Sequence, residues 1–232
     1  MIQRDARSRD LLELYEHLLA HFGPRHWWPA ESPTEMMVGA MLTQSVAWRN
    51  VTKCLDQLKA AGMLDWRAIH AAPDEALETL IRPSRFFKAK ARKLKALAAH
   101  VVERYDGDLG AMFARPMDAL RHELLAVHGV GPETVDCILL YAAEHPSFVV
   151  DAYTRRIFSR LGYFHERIGY EPMRRFFMER LTADVPLYNE YHALIDGLGH
   201  HFCHPQAPRC EACPLSGHCS YAREQPSSSG VN

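Results

Sequence analysis

The chain has 232 residues, 47% of them hydrophobic, which suffices for one large domain or two small ones with packed cores. Its net charge of −1 and its pI near 6.9 exclude a surface that is basic throughout, so any nucleic-acid surface must be local. No apolar run approaches the roughly 18 residues of a membrane span, and residues 1–10 lack the apolar stretch of a signal peptide. We therefore expect a cytoplasmic protein that does not bind a membrane.

Helical periodicity dominates the chain. It predicts helices over residues 8–21, 33–41, 46–61, 74–80, 87–105, 117–127, 132–144, 152–161, 172–181 and 188–202. The one strand-like fragment, at residues 148–150, is too short to build a sheet. Residues 223–232 are predicted to be a disordered tail. The predicted fold class is all-α.

Positive charge is concentrated in residues 82–104, which carry eight basic residues and one acid, Glu103. The spacing suits a helix, and either a solvated helix face or a local nucleic-acid surface would explain it. All six lysines of the chain lie at or before Lys95. Residues 96–232 therefore offer no lysine amine for chemistry.

Four of the six cysteines fall in one short segment, with the spacing C-x6-C-x2-C-x5-C. They are Cys203, Cys210, Cys213 and Cys219. Such density indicates a metal site or a disulfide knot, and a cytoplasmic location disfavours the knot. Zinc ribbons pair two C-x2-C knuckles, whereas this segment has one. The spacing therefore favours a [4Fe–4S] cluster, with zinc as the alternative.

Residues 128–136 read HGVGPETVD, a pattern typical of a sharp turn between two helices. Such a turn exposes backbone N–H groups, which bind anions. Twenty residues beyond Gly131, Asp151 follows an apolar run and precedes a predicted helix, where it is well placed to cap that helix.

In this order, the glycine hairpin, Asp151 and the four cysteines resemble the endonuclease III branch of the helix-hairpin-helix DNA glycosylases. The resemblance implies two helical lobes with a DNA cleft between them. One would be a helical barrel carrying the helix-hairpin-helix, residues 33–150; the other would be an iron–sulfur cluster lobe, residues 1–32 and 151–222. It also implies a [4Fe–4S] cluster on the four cysteines, and a monomer that binds double-stranded DNA containing a damaged base in the bacterial nucleoid.

Motifs of the N-terminal half narrow the resemblance. Trp27-Trp28-Pro29, MLTQSVAW, RPSRFFKAKA and GVGPETVD together resemble the endonuclease-III-like 3-methyladenine DNA glycosylases. That likeness implies a pocket for a flipped alkylated base formed by Trp27, Trp28 and Trp48. Taken alone, the tryptophans would be interpreted as core packing beside a turn. One departure is Arg85, where relatives commonly have glycine.

The match fails at Glu133. In family members that also cleave DNA, a lysine at this position attacks the sugar C1′ and forms a Schiff base. Without that amine, the resemblance implies a monofunctional enzyme that uses water. Glu133 would either attract a cationic base at the pocket edge or serve only as a favourable acid in the first turn of a helix.

The resemblance also implies roles for individual residues. Asp151 would stabilise positive charge developing on the sugar and orient the attacking water. DNA-contacting residues would hold a phosphate, add charge, fill the space left by the flipped base, or wedge the helix open. Gly129, Val130 and Gly131 would hold the phosphate, and Arg156 would add charge. Gln44 would fill the space left by the flipped base, and Pro83 with Ser84 would wedge the helix open. A satisfied buried glutamine is the alternative interpretation of Gln44.

Three other functions stay open at this level. One is a broader monofunctional enzyme that excises mismatched or deaminated bases. A bifunctional glycosylase/lyase on oxidised pyrimidines would use an amine nucleophile from elsewhere in the fold. A noncatalytic iron–sulfur protein that binds damaged DNA would not need the Asp151 carboxylate.

Overall fold

The computed structural model describes residues 6–224 and the side chains of residues 10–224. No strand occurs in these residues, so the fold is all-α, as predicted. No described helix is both long and apolar enough to cross a membrane. Of the predicted tail, Arg223 and Glu224 end a helix, and residues 225–232 lie outside the described residues.

The chain forms two compact units, and each is described by itself. The central unit is Trp28–Ser147, and the terminal unit joins the chain up to Trp27 to the chain from Phe148 onward. The helices of the central unit are α2 Pro33–Leu42, α3 Trp48–Ala60, α4 Trp66–Ala71, α5 Asp74–Leu80, α6 Phe87–Tyr105, α7 Leu109–Phe113, α8 Met117–Leu125 and α9 Pro132–Cys137. Those of the terminal unit are α1 Ala6–Phe22, α10 Ala152–Leu161, α11 Tyr170–Met178, α12 Val185–His201 and α13 Ser220–Glu224.

The periodicity predicts α5, α6 and α10 with their observed bounds. The prediction of one α-helix over residues 132–144 is wrong, because α9 ends at Cys137 and Ile138–Ala142 form a π-helical turn. Such turns widen the hydrogen-bonding ring from i−4 to i−5, which an apolar period cannot reveal. The short helices α4, α7 and α13 were not predicted, since six or fewer residues carry little periodic signal.

The core of the central unit is organised around α2, which is buried from Glu35 to Leu42. A helix that is apolar on all sides belongs in the interior. Its one charged residue is held at the surface end, where Lys59 Nζ lies 2.8 Å from Glu35 Oε1. The Ser32 hydroxyl accepts from the Glu35 amide and caps the helix.

Aromatic side chains form the core of the terminal unit. Phe148 stacks on Phe177 with ring centroids 4.3 Å apart, and Phe158 meets Phe177 edge to face at 4.8 Å. Tyr191 is fully buried, and its hydroxyl donates to the carbonyl of Leu11 at 2.8 Å. This bond ties α12 to α1, so both ends of the sequence build one core.

Candidate functional site

The glycine hairpin of the central unit connects α8 to α9. Gly129 has φ +81°, a left-handed conformation that favours glycine, and Gly131 is the N-cap of α9. Arg121 of α8 donates from Nε and Nη2 to the two carboxylate oxygens of Asp136 in α9, at 2.9 and 3.1 Å. Because Asp136 is fully buried, this bidentate pair fixes the two helices of the hairpin against each other.

The three hairpin amides expected at a phosphate are not equivalent. The Val130 N–H donates to the Val127 carbonyl at 3.1 Å, so it is occupied within the turn. A Cβ atom built at Gly131 would meet nothing within 4 Å, so the backbone there is open to a close approach. Gly131 is therefore better placed than Val130 to meet an anion.

Gln44 connects the basic helix α6 to the hairpin. Its side-chain Nε2 donates to Thr134 Oγ1 at 3.2 Å, and its Oε1 accepts from Lys93 Nζ at 2.8 Å. The stem of Lys93 in turn occupies the space beside Gly129 that a Cβ atom would need. Both ends of the Gln44 amide are thus hydrogen-bonded, which fits the interpretation of a satisfied glutamine; its role at DNA stays a prediction.

Lys90 holds two loops together from inside the central unit. It is 4% exposed, and its Nζ donates to the carbonyls of Leu42 and Ser84, each at 2.7 Å. Burial, the largest cause, together with the nearby Lys93 charge lowers the pKa of Lys90 to about 8. One carbonyl ends α2, just before Gln44, and the other lies in the 3-10 turn Arg82–Ser84.

In the loop expected to wedge into DNA, Pro83 is half-buried and Ser84 is buried, and their role at DNA stays a prediction. Ser84 is fully buried, and its hydroxyl donates to the Ile81 carbonyl at 2.7 Å, so its side chain lies inside the loop. Phe86 is 72% exposed, which is unusual for a large apolar side chain. Arg85 and Phe86 both have positive φ, 56° and 45°, a left-handed conformation that favours glycine.

An aromatic cluster lies beside α2 in the central unit. Trp28 meets Trp48 edge to face with centroids 5.2 Å apart, and meets Tyr141 at 5.5 Å. Tyr141 was missed at the sequence level because it lies in the π-helical turn. Glu133 is exposed in the first turn of α9. Trp27 is half-buried in the terminal unit.

Asp151 is the N-cap of α10 in the terminal unit. Its Oδ1 accepts from the Thr154 amide at 2.7 Å and from the Thr154 hydroxyl at 2.8 Å, and the two residues form a capping box. The other oxygen, Oδ2, lies 3.9 Å from His192 Nε2. The bonds to Oδ1 therefore fix the carboxylate at the start of α10, while Oδ2 lies toward His192.

Two residues near Asp151 escaped the sequence analysis. His192 and Asp196 lie one turn apart on α12. Burial raises the pKa of the Asp196 carboxyl, and the Asp151 charge raises it further, against the lowering effect of His192. The i, i+4 spacing of His192 and Asp196 places them on one face of a helix. That spacing alone does not indicate that they lie near Asp151, some 40 positions earlier.

Arg156 contacts protein groups within the terminal unit. Its Nε donates to the Cys203 carbonyl at 2.7 Å, and its guanidinium lies 5.0 Å from the Tyr153 ring. Gly199 allows this packing, because a Cβ atom there would collide with the Tyr153 ring. Arg156 thus joins α10 to the cysteine segment, and its contact with DNA stays a prediction.

The four C-terminal cysteines are free, half-buried thiols in one short segment. Burial, together with the charges of Cys203, Cys219 and Cys210, raises the pKa of Cys213 to about 11. Arg160 donates to Cys203 Sγ at 3.2 Å. Four soft sulfur donors of this kind fit an iron–sulfur cluster or zinc. Cys54 and Cys137 are buried thiols.

Comparison with known proteins points to one family. The family described as "HhH-GPD superfamily base excision DNA repair protein" matches residues 38–183. The chain is 42% identical over 211 residues to "Putative DNA repair glycosylase MJ1434" of Methanocaldococcus jannaschii, covering 90% of this chain and 95% of the relative.

Solved structures have the same fold. A trapped endonuclease III–DNA covalent intermediate has a TM-score of 0.80 and 23% identity, covering 93% of this chain and 97% of that one. H. pylori 3-methyladenine DNA glycosylase (MagIII) bound to 1,N6-ethenoadenine has a TM-score of 0.68 and 25% identity, covering 82% and 95%.

Proposed function

Because the chain belongs to the HhH-GPD superfamily of base excision DNA repair proteins, as a DNA glycosylase of the endonuclease III family, we propose that it acts on alkylated purines. It hydrolyses the N-glycosidic bond of bases such as 3-methyladenine or 7-methylguanine in duplex DNA, and it has no AP lyase activity. The observation that carries the proposal is Glu133 at the position of the lyase lysine, in a chain without lysine after Lys95.

Four of the six lysines are bonded within the protein, which supports a water-dependent reaction. Lys90 and Lys93 of α6 are bonded as described above, Lys95 is bonded to Asp74 at 2.7 Å, and Lys59 lies 2.8 Å from Glu35. Schiff-base formation needs a neutral, free amine, so these side chains are poor nucleophiles.

Asp151 is the proposed catalytic residue. In the reaction the bond between C1′ and the base nitrogen breaks, and its electron pair neutralises the cationic purine as it leaves. Water adds to C1′, and its proton passes to Asp151 Oδ2, which first stabilises the positive charge on the sugar. The bonds of Oδ1 to Thr154 hold the carboxylate in place, so little reorientation is needed during the step.

The aromatic residues supply affinity for the base. N3- or N7-alkylated purines are cationic, and a desolvated cation over an indole face gains on the order of 2 kcal/mol. Trp28 and Trp48 are the proposed stacking residues, Tyr141 supports Trp28, and Trp27 is retained as a further candidate. Glu133 adds negative charge that favours a cationic base over a neutral one.

Contacts with duplex DNA are assigned by exposure. We propose that Phe86, rather than Ser84, wedges into the base stack, because an exposed aromatic ring can replace a stacking partner. The open backbone at Gly131 would meet a phosphate, and Gln44 would face the space left by the flipped nucleotide.

We propose a [4Fe–4S] cluster on Cys203, Cys210, Cys213 and Cys219. When bound, the cluster would cross-link the loop and hold its shape. Arg160 supports the loop independently, since it donates to the carbonyls of His204 and Pro205, each at 2.8 Å. Iron and acid-labile sulfide in the purified protein, with visible absorbance that Cys213→Ser removes, would support the cluster. Stoichiometric zinc in place of iron would show that the cysteines hold a zinc ion instead.

The test of function is incubation with methylated duplex DNA. Released bases are identified by mass spectrometry, and strand breaks are counted before alkali treatment. We expect free 3-methyladenine or 7-methylguanine without breaks. Strand breaks that form without alkali, together with a complex that borohydride traps, would show an amine nucleophile and contradict the proposal. The exposed Lys88 would then be the first residue to replace.

Asp151→Asn is the matched variant. It keeps the cap, because the amide oxygen still accepts from Thr154, but it removes the charge. Excision should be abolished while binding to damaged DNA is retained. Unchanged release of bases by this variant would exclude Asp151, and no release by the wild type would favour a noncatalytic damage-binding protein.

A further inference from the structure

A basic groove runs along α10 in the terminal unit, outside the residues to which the reaction is assigned. We name it the α10 groove. It encloses about 740 Å³ and is lined by Ala152, Arg155 and Ser159 of α10, the turn after α10 with His165 and Arg167, and Tyr221 of α13. Four arginines and two glutamates, Glu166 and Glu224, line it in all, so its charge is positive at neutral pH.

The arginines of α10 fall into two groups. Arg156 and Arg160 are committed, because both donate to backbone carbonyls of the cysteine segment. Within residues 10–224, by contrast, the side chains of Arg155 and Arg167 make no hydrogen bond or ion pair. The groove therefore contains two guanidinium groups whose donors are not used by the described residues.

The hydroxyl group of Ser159 also lacks a hydrogen-bond partner among the described residues. Over the same described residues, Arg155 Nε and Ser159 Oγ are both enclosed and lack a hydrogen-bond partner. They lie four residues apart, on one face of α10. Polar atoms in such places are normally satisfied, so their shared position in the groove points to a ligand that accepts hydrogen bonds. Because none of the described residues accepts a hydrogen bond from the Arg155 guanidinium, a rotation of its side chain can turn it into the groove.

The groove begins beside the proposed catalytic residue. Ala152 follows Asp151 directly, and the helix rises about 1.5 Å per residue, so Ala152 and Ser159 are about 10 Å apart. A DNA strand carries one phosphate per roughly 3.4 Å of its axis, so this length matches about three phosphates. Guanidinium groups are well suited to such oxyanions.

We propose that the α10 groove binds the phosphodiester backbone flanking the damaged nucleotide, through Arg155, Arg167 and Ser159. This inference rests on the proposed function, in that it takes the ligand to be the DNA on which Asp151 acts. The groove contributes affinity and register, and it takes no part in breaking the glycosidic bond.

The experiment measures binding to a duplex that carries a stable abasic-site analogue, over a series of salt concentrations. Arg155→Gln and Arg167→Gln should each weaken binding several-fold and reduce the slope of log K against log[salt] by about 0.9, the value for one phosphate contact. In single-turnover excision the loss should appear as a higher enzyme concentration for the half-maximal rate. Arg155→Lys should keep the slope, because the charge is kept.

Arg175→Gln is the matched control, since Arg175 is exposed on α11 and does not line the groove. It should bind as the wild type does. Folding of each variant is checked by thermal unfolding, and the exposed Arg167 gives a variant that should fold even if Arg155→Gln does not. An unchanged slope in folded Arg167→Gln and Arg155→Gln would overturn the proposal.

Inorganic phosphate distinguishes the source of the oxyanion. Stabilisation of the wild type by phosphate, lost in Arg155→Gln without any change in DNA binding, would indicate a site for free phosphate and reject the DNA assignment. The binding measurement does not depend on excision. A reduced slope in a protein that releases no alkylpurine would therefore keep this inference while rejecting the proposed substrate.

Discussion

The methylene stem of Lys93 fills the space that a Cβ atom at Gly129 would need, while its ammonium group donates to Gln44. The tight turn of the hairpin and the basic helix α6 are thereby one packed structure. Glycine is required at position 129 for two reasons. The backbone has φ +81°, and the Lys93 stem leaves no room for a Cβ atom.

Gly129→Ala should therefore destabilise the central unit. We expect a loss of about 1–3 kcal/mol, because the backbone is strained and Lys93 must move. Gly131→Ala is the control: its φ of −90° suits alanine, and a Cβ atom there has open space, so the loss should stay within about 1 kcal/mol. Urea unfolding of both variants measures the difference, and equal losses would refute this account of the turn.

The buried pair in the hairpin gives a second prediction. Arg121→Met leaves the Asp136 carboxylate without its bidentate donor, and should cost about 3–5 kcal/mol of unfolding free energy. Arg121→Met/Asp136→Leu removes both charges and takes from the buried Ser147 hydroxyl only its Asp136 acceptor, a smaller loss, so the double variant should be more stable than the single one. A double variant less stable than Arg121→Met would contradict the idea that an unpaired charge dominates the loss.

Lys90 predicts a dependence of stability on pH. Its pKa is about 8 in the folded protein and 10.5 as the ordinary value, so the unfolded chain holds more protons in this window. Stability should then rise with pH from 8 to 10.5 as the cost of burying the charge is relieved. Lys90→Met should lack this rise. Unfolding of both proteins at several pH values between about 7 and 10 would reveal it, and parallel curves would disprove it.

Glu133 can be tested in two directions. Glu133→Lys should restore an amine at the lyase position and produce a complex that borohydride traps. Glu133→Gln should slow release of cationic 7-methylguanine relative to a neutral base by roughly two- to fivefold, since exposed charge pairs contribute up to about 1 kcal/mol. If Glu133→Gln affects both bases equally, the glutamate serves only the first turn of α9.

Local pattern was sufficient where a helix is long and amphipathic. The bounds of α6 follow from apolar residues at helical spacing, and Asp151 is recognisable as a cap because an apolar run ends just before it. Both features depend on neighbours in sequence, which a single chain displays directly.

Long-range contacts were beyond the sequence. Lys93 reaches Gln44 across 49 positions, and Lys90 reaches Leu42 across 48. Ser84 was expected at a DNA-facing tip but is buried by Lys90, whereas Phe86 is exposed because two successive residues take positive φ. Neither outcome has a periodic signature, so only the folded chain distinguishes the two residues.

The bond from Tyr191 to Leu11 spans 180 positions. At roughly 5–20 residues per second, a ribosome needs about 9–36 s to make the chain between them. During that interval α1, with Leu11, Leu14 and Leu18, lacks its partner helix α12, whereas the central unit is complete once Ser147 has been made. The order of synthesis therefore favours a central unit that folds first, and leaves α1 as a segment that chaperones can bind until the last helices emerge.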